Sequence, residues 1–302
     1  MATTNIENYR PLDHAKATIR DVKESSDFHD HLREDARTAF SKSALALAIL
    51  ETSTEGEKSR DGHHLAIAAH VNGFIQGNFA LRRLANETNQ RDGDIDTVDE
   101  RVELTAEQRQ RRSDAVDAII PFNHAVKEYI EQDPSATFCD TVEYAMAIFT
   151  LTNASILRAK PDNGKSILDF ARTQVREAIN GMRHEKAVVE MLGAEYRASG
   201  NVSLQEDKQG CDLHIIHPGD RRVYSIDAKA SRTNAQRTRS KMPRRSHAVI
   251  WSTLADEDFE RNGFSLSEET FAVHRRLLIK ELDDELAQLR EIAYRRQKSP
   301  RR

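Results

Sequence analysis

The sequence predicts a chain of α+β or α/β class, with an all-helical first half and a mixed second half. Two patterns carry this expectation. Before residue 159, apolar and small residues recur at helical spacing in long segments with few breakers. After it, a long helical segment is followed by short apolar runs with turn residues between them, and then by a final helix.

The first helical segment, "DFHDHLREDARTAFSKSALALAILET" at 27–52, holds no Pro or Gly. The second, 63–88, keeps its spacing through Gly73 and Gly77. The third, 105–132, is expected to bend or break at Pro121, which removes a backbone donor and crowds the preceding turn. The fourth covers 139–159. The acidic link "NQRDGDIDTVDERVEL" at 89–104 reads as an exposed loop.

"AKPDNGKS" at 159–166 interrupts the helical pattern and marks a boundary, with a helical domain at 1–158. A long helix then runs to Leu192, with Ser166 as its N-cap. Two strands follow within "GCDLHIIHPGDRRVYSIDAKAS" (210–231), joined by a Pro-Gly-Asp turn. A third strand, "HAVIWSTL" at 247–254, comes after a basic loop. The last helix starts near Ser267, and the tail "RRQKSPRR" reads as basic and disordered, with 296–302 set apart.

In the simplest hairpin register His217 pairs with Arg222, and Asp212 lies opposite Asp227. Alternation sorts Cys211, Leu213, Ile215, Tyr224, Ile226 and Ala228 onto one apolar face suited to a core. Asp212, His214, Ser225, Asp227 and Lys229 fall on the other, with Ile216 and Val223 nearer the turn. Carboxylates about 5 Å apart between Cβ atoms repel each other. A divalent cation between them would relieve this, and hard oxygen ligands suit Mg²⁺ or Mn²⁺. Lys229 could then meet negative charge building up in a reaction at that metal. The plainer alternative is an exposed polar sheet edge on which Lys229 neutralises one aspartate.

On the preceding helix, Ala171, Val175, Ala178, Met182, Val189 and Leu192 form an apolar stripe, and Glu185 fills its gap. A carboxylate facing a core needs a partner. It either pairs with a core-facing cation, reaches water at the edge of the stripe, or is aimed at the same metal site.

"GMRHEKAVVEML", "EDKQGCDLHII" and "YSIDAKAS" together resemble the core of the PD-(D/E)XK, or restriction-endonuclease-like, nuclease superfamily over roughly residues 166–290. The resemblance implies an αβββαβ core with a mixed sheet, in a nuclease-like domain at 159–295. It implies that Asp212, Asp227 and the Ala228 carbonyl hold Mg²⁺, for which Mn²⁺ can substitute, with Glu185 joining directly or through water. It implies a catalytic set of Glu185, Asp212, Asp227 and Lys229 that hydrolyses phosphodiester bonds, with double-stranded DNA as the substrate. Cys211 stands where the motif has its proline. Gln288 and Tyr294 are six apart, so the Gln-x-x-x-Tyr helix of the RecB-like subgroup is not supported.

Beside such a site, Arg232, Arg237, Arg239, Lys241, Arg244 and Arg245 are expected to contact phosphates, although a solvated mobile loop would look the same in sequence. There is little aromatic interleaving, so a base-stacking platform is not indicated. Cutting both strands needs two active sites, which makes a homodimer the expected assembly. The alternative function is a non-catalytic nucleic-acid-binding module on a nuclease-like scaffold. Clustered carboxylates argue against it, because a scaffold has no need of them. The nuclease reading also expects Asp212→Ala to abolish activity without harm to the fold.

The charge of the chain is uneven. Residues 1–155 carry 17 Lys and Arg against 27 Asp and Glu, and residues 156–302 carry 28 against 22. Nine basic residues lie from Arg221 to Arg245, which is compatible with a nucleic-acid partner. No apolar run approaches the ~20 residues of a membrane span. The start, "MATTNIENYRPLDHAK", has no apolar signal segment, so a cytoplasmic location without a membrane partner is expected. Cys139 and Cys211 cannot build a disulfide framework or a Cys-rich zinc site, and are expected to be buried thiols.

Three weaker motifs are set aside. "NGKS" at 163–166 is no P-loop, because Ala159 stands at the first glycine position. "HEKAV" has Val188 where a zinc motif has its second His. The His29/His31 and His63/His64/His70 groups lack acidic or Cys partners at ligand spacing. His214 and Ser225 share the polar hairpin face and could support the site.

Overall fold

A computed structural model describes residues 55–88, 104–132, 136–153, 161–200, 202, 206, 210–241, 247–260 and 263–298. The helix expected at 27–52, nearly all of the acidic link and residues 154–160 lie outside these. The described residues are of mixed α+β class, mostly helical, with a small three-stranded mixed sheet. The chain divides into two compact units, Met1–Phe79 with Asp117–Ile179, and Ala80–Val116 with Asn180–Arg302. Each division falls inside a helix: α1 (Glu55–Glu87), α2 (Ala106–Gln132) or α4 (Pro161–Leu192).

The described residues of the first unit are mostly helical and include α3 (Phe138–Thr152). Its buried side chains include Ile67, Val71, Phe74 and Ile75 of α1, Phe122 and Val126 of α2, Val142 and Ile148 of α3, and Val175 and Ile179 of α4. Phe74 and Phe122 bring α1 and α2 together at 4.4 Å between ring centroids, and Phe79 stacks on Phe170 at 4.2 Å. Gly73 is suited to this contact, since a Cβ there would lie 3.3 Å from the Ala118 carbonyl. α2 runs unbroken through Pro121, contrary to a break there.

Helix starts follow local chemistry. Thr105 Oγ1 accepts from Gln108 N–H while Gln108 Oε1 accepts from Thr105 N–H, a reciprocal cap at the start of α2. Thr137 Oγ1 accepts from Asp140 N–H at the start of α3. α4 begins at Pro161, whose fixed φ and missing donor suit a first helical position. Ser166 therefore lies inside the helix and is not its cap.

The second unit contains β1 (Leu213–Ile216), β2 (Val223–Lys229), α5 (Arg232–Lys241), β3 (Ala248–Trp251) and α6 (Glu268–Lys298). The sheet order is β1-β2-β3, with β1 antiparallel and β3 parallel to β2. Ser199 adds an isolated antiparallel bridge to His214. Over Arg232–Lys241 the basic stretch after β2 is a helix and not a loop. Two parallel strands need a crossover, and α5 supplies it. Its sequence hid this, because it buries only Ala235, Thr238 and Lys241. Ser267 Oγ accepts from Thr270 N–H and caps α6 as expected. α6 continues to Lys298, so the supposed tail is helical over 296–298, and 299–302 lie outside the described residues.

The hairpin register is as expected, with Leu213 opposite Ile226 and Ile216 opposite Val223. Leu213, Ile215, Ile226, Ala228, Ala248 and Ile250 join Val188, Met191 and Leu192 of α4 and Leu278, Leu282 and Leu286 of α6 in one buried apolar cluster. Each large side chain buried there contributes about 1.5–3 kcal/mol of transfer free energy. Cys211 is a buried free thiol, but Cys139 is exposed, contrary to expectation. Among the described residues, no helix is long and apolar enough to cross a membrane.

Candidate functional site

The polar face of the hairpin ends in a compact charge cluster. The regular ladder stops at Leu213, and Asp212 N–H donates to the Ile226 carbonyl, one residue off the register that would place Asp212 opposite Asp227. This step carries the Asp212 carboxylate over the β2 backbone, where Oδ2 accepts from Ala228 N–H at 2.7 Å. Asp227 Oδ1 pairs with Lys229 Nζ at 2.5 Å. The expected carboxylate repulsion is thus relieved by two different partners within the chain, an amide and an ammonium. The Ala228 amide also changes the reading of Asp212→Ala, which removes the acceptor of an N–H in a buried residue and so cannot be harmless.

Gly210 borders the same carboxylate. Its φ is +77°, a region that L side chains avoid, and a Cβ built there would sit 3.7 Å from Asp227 Oδ2.

Glu185 comes to the cluster from α4. The buried face of the helix's second half is Met182, Arg183, His184, Ala187, Val188, Met191 and Leu192. Glu185 is half-buried beside this face and not at the centre of a stripe, and in the first half Ile179 is buried where Ala178 was expected. Its charge nevertheless reaches the strand end. Burial by itself would lower the Lys229 pKa. The carboxylates of Asp227, Asp212 and Glu185 outweigh that and raise it above the ordinary lysine value. The ammonium pairs with Asp227, feels the charges of Asp212 and Glu185 as well, and stays protonated at neutral pH.

The other polar residues of the face form a separate group. His214 Nε2 lies 3.1 Å from Glu206 Oε1, and its Nδ1 lies 3.4 Å from Ser225 Oγ. Burial pushes the neighbouring Cys211 thiol up, so it stays neutral.

The basic residues divide. Arg232 is exposed at the start of α5, and Arg237 is partly exposed. Arg239 faces inward: Nε and Nη2 donate to the Val249 carbonyl at 2.9 and 2.5 Å. It also pairs with Glu281 at 2.5 Å and with the buried Glu285 at 3.0 Å. Glu285 Oε1 accepts from Val249 N–H, so this ion pair closes the free edge of β3. Lys241 is buried as well. Arg239 and Lys241 thus leave the set expected to contact phosphates. Their burial under the crossover was not visible in a run of charges. Arg244 and Arg245 lie outside the described residues.

A second polar cluster joins α4 to the end of β3. Ser252 Oγ lies 2.5 Å from His184 Nδ1, and both residues are buried. Leu254 N–H also donates to Ser252 Oγ. On the other side of the ring, Nε2 lies 3.9 Å from Asp256 Oδ1. Burial holds the His184 pKa down at about 4, so the ring is neutral. Ser, His and Asp in a row suggest a hydrolytic triad, but Ser252 is 0% exposed and no substrate reaches its hydroxyl. No local motif could reveal this link, which spans 68 residues.

Among the described residues, no group of three or more His, Cys, Asp or Glu is already spaced to hold a metal ion. In kind, Asp212, Asp227 and Glu185 are hard carboxylate donors of the sort a divalent cation takes, and all three act on the charge of Lys229. Comparison with protein-family models, curated proteins and solved structures finds no match to this chain.

Proposed function

We propose that this chain is a divalent-metal-dependent nuclease that hydrolyses phosphodiester bonds in double-stranded DNA. The observation that carries the reading is the end of β2, where Lys229 pairs with the buried Asp227 and the intervening Ala228 N–H donates to Asp212, with the charge of Glu185 acting on the same ammonium. The order of elements supports it. Helix α4, the Ser199 bridge, β1, β2, α5 and β3 follow the αβββαβ sequence of a PD-(D/E)XK core, with its first strand reduced to the bridge.

Asp212, Asp227, the Ala228 carbonyl and Glu185 would hold the metal, Mg²⁺ or Mn²⁺. When bound, it would polarise the scissile phosphate and lower the pKa of a coordinated water. The residues of the chain do the rest. Lys229, kept protonated by its neighbours, donates hydrogen bonds to the attacking water and to the charge that develops on phosphorus oxygens. Arg232 and Arg237, on the helix that follows, neutralise neighbouring phosphates.

A non-catalytic binding module is less well supported, because Arg239 and Lys241 are withdrawn into the fold. The test is incubation of linear and supercoiled duplex DNA with Mg²⁺, with Mn²⁺ and with EDTA. Cleavage that requires the metal supports the nuclease. Gel-shift binding without cleavage under every condition would replace it with the binding module.

A further inference from the structure

We infer that His184 and Ser252 are positioning residues, and that their buried hydrogen bond fixes Glu185 of α4 against Lys229 of β2. The inference rests on the nuclease reading and names a further part of that site.

The path is short: one chain step and two hydrogen bonds. Glu185 follows His184 directly on α4. His184 Nδ1 and Ser252 Oγ are hydrogen-bonded at 2.5 Å. Ser252 N–H donates to the Lys229 carbonyl at 3.0 Å. One hydroxyl-bearing residue thus ties the helix glutamate to the strand lysine. The apolar cluster under the sheet cannot do this alone, because hydrophobic burial has no direction and tolerates small shifts of a helix along a sheet.

Both ends of the link are held. His184 meets the Phe259 ring edge-on at 5.2 Å between centroids. Arg183 lies 3.7 Å over the same ring and donates to the Asp256 carbonyl at 3.3 Å. On the other side, Thr253 has φ +65°, which a β-branched residue avoids. It is kept there by Thr253 Oγ1, 3.2 Å from His274 Nδ1. Strain of this kind persists only where the surroundings over-determine it. Here it turns the chain sharply after β3 and leaves Ser252 facing His184.

The experiment measures Mn²⁺ affinity by electron paramagnetic resonance of the free ion, with thermal unfolding and plasmid cleavage on the same samples. Ser252→Ala should weaken Mn²⁺ binding by about 10-fold or more, as loss of groups that orient metal ligands does. Leu278→Ala, which disturbs the apolar cluster without touching the link, should lower the melting temperature and leave Mn²⁺ affinity unchanged. Should Ser252→Ala fail to fold, His184→Asn and His184→Leu carry the test. Asn keeps a hydrogen-bonding group where Nδ1 stood, so it should bind Mn²⁺ more tightly than Leu. Wild-type affinity in Ser252→Ala, or equal affinity in the two His184 variants, overturns the inference while leaving the nuclease reading intact. Wild-type protein that neither binds Mn²⁺ nor cuts DNA overturns both.

Discussion

Asp227 and Lys229, two residues apart on β2, form a 2.5 Å ion pair in which the aspartate is 2% exposed and the lysine 26%. Removing the lysine alone strands a buried carboxylate. Lys229→Ala is therefore expected to lower stability by about 2–3 kcal/mol, reduced from the fully buried case because water reaches the amine. Asp227→Asn combined with Lys229→Met should recover most of this, as urea denaturation of the three proteins would show. The pH dependence follows from the raised lysine pKa. A raised folded value adds stability that is fully present below the unfolded lysine value of about 10.4, and that is lost as pH rises through the folded one. The stability gap between wild type and Lys229→Met should be level from neutral pH to about 10 and shrink above it.

Asp212 does two jobs that substitution can separate. Its Oδ2 accepts from Ala228 N–H, and its charge contributes to the cluster. Asp212→Asn keeps an acceptor and should stay within about 1 kcal/mol of wild type, while Asp212→Ala should lose about 1–3 kcal/mol. Both should abolish metal-dependent cleavage. Equal stability of the two variants in chemical denaturation would contradict the Ala228 contact.

Arg239 and Arg232 stand within the same charge run but face opposite ways. Arg239→Ala leaves Glu285 buried beside Val249 without its cation, and should destabilise the fold by about 3 kcal/mol or more. Arg232→Ala should change stability by no more than about 0.5 kcal/mol and weaken DNA binding, with a shallower salt dependence. Thermal unfolding and gel shifts at two salt concentrations distinguish the pair.

His70 in the helical unit offers an acid-side test. Burial holds its pKa down at about 4. The unfolded chain then binds the extra proton first, so stability falls as pH drops from about 6.5 towards 4, by up to about 3 kcal/mol. Because burial holds His184 down to the same value, His70→Leu should remove about half of the acid-side slope in urea titrations run at several pH values. An unchanged slope would show that His70 is not the group responsible.

What the sequence revealed, and what it hid, follows from the range of each interaction. The hairpin was legible because strict alternation from Leu213 to Ile215 and from Tyr224 to Ala228 meets a Pro-Gly-Asp turn. Ser267 was legible as a cap because capping is local. The start of α4 was misplaced because Ser166 looks like a cap, while Pro161 is the better first residue. α5 was hidden because a helix covering a sheet edge with Ala235, Thr238 and Lys241 shows no apolar stripe. The off-register Asp212, the inward Arg239 and the His184–Ser252 bond depend on chain segments far apart in sequence, and periodicity carries no trace of them.

The central claim is that Asp212, Asp227, Glu185 and Lys229 form a metal-dependent phosphodiesterase centre. The most direct measurement is conversion of supercoiled plasmid by wild type and by Asp227→Ala, side by side, with Mg²⁺, with Mn²⁺ and with EDTA. Circular dichroism on the same preparations confirms that both are folded. The account predicts nicked or linear product from wild type with either metal, none with EDTA, and a rate at least about 100-fold lower from Asp227→Ala. Metal-independent cleavage, or equal cleavage by a folded Asp227→Ala, would contradict it.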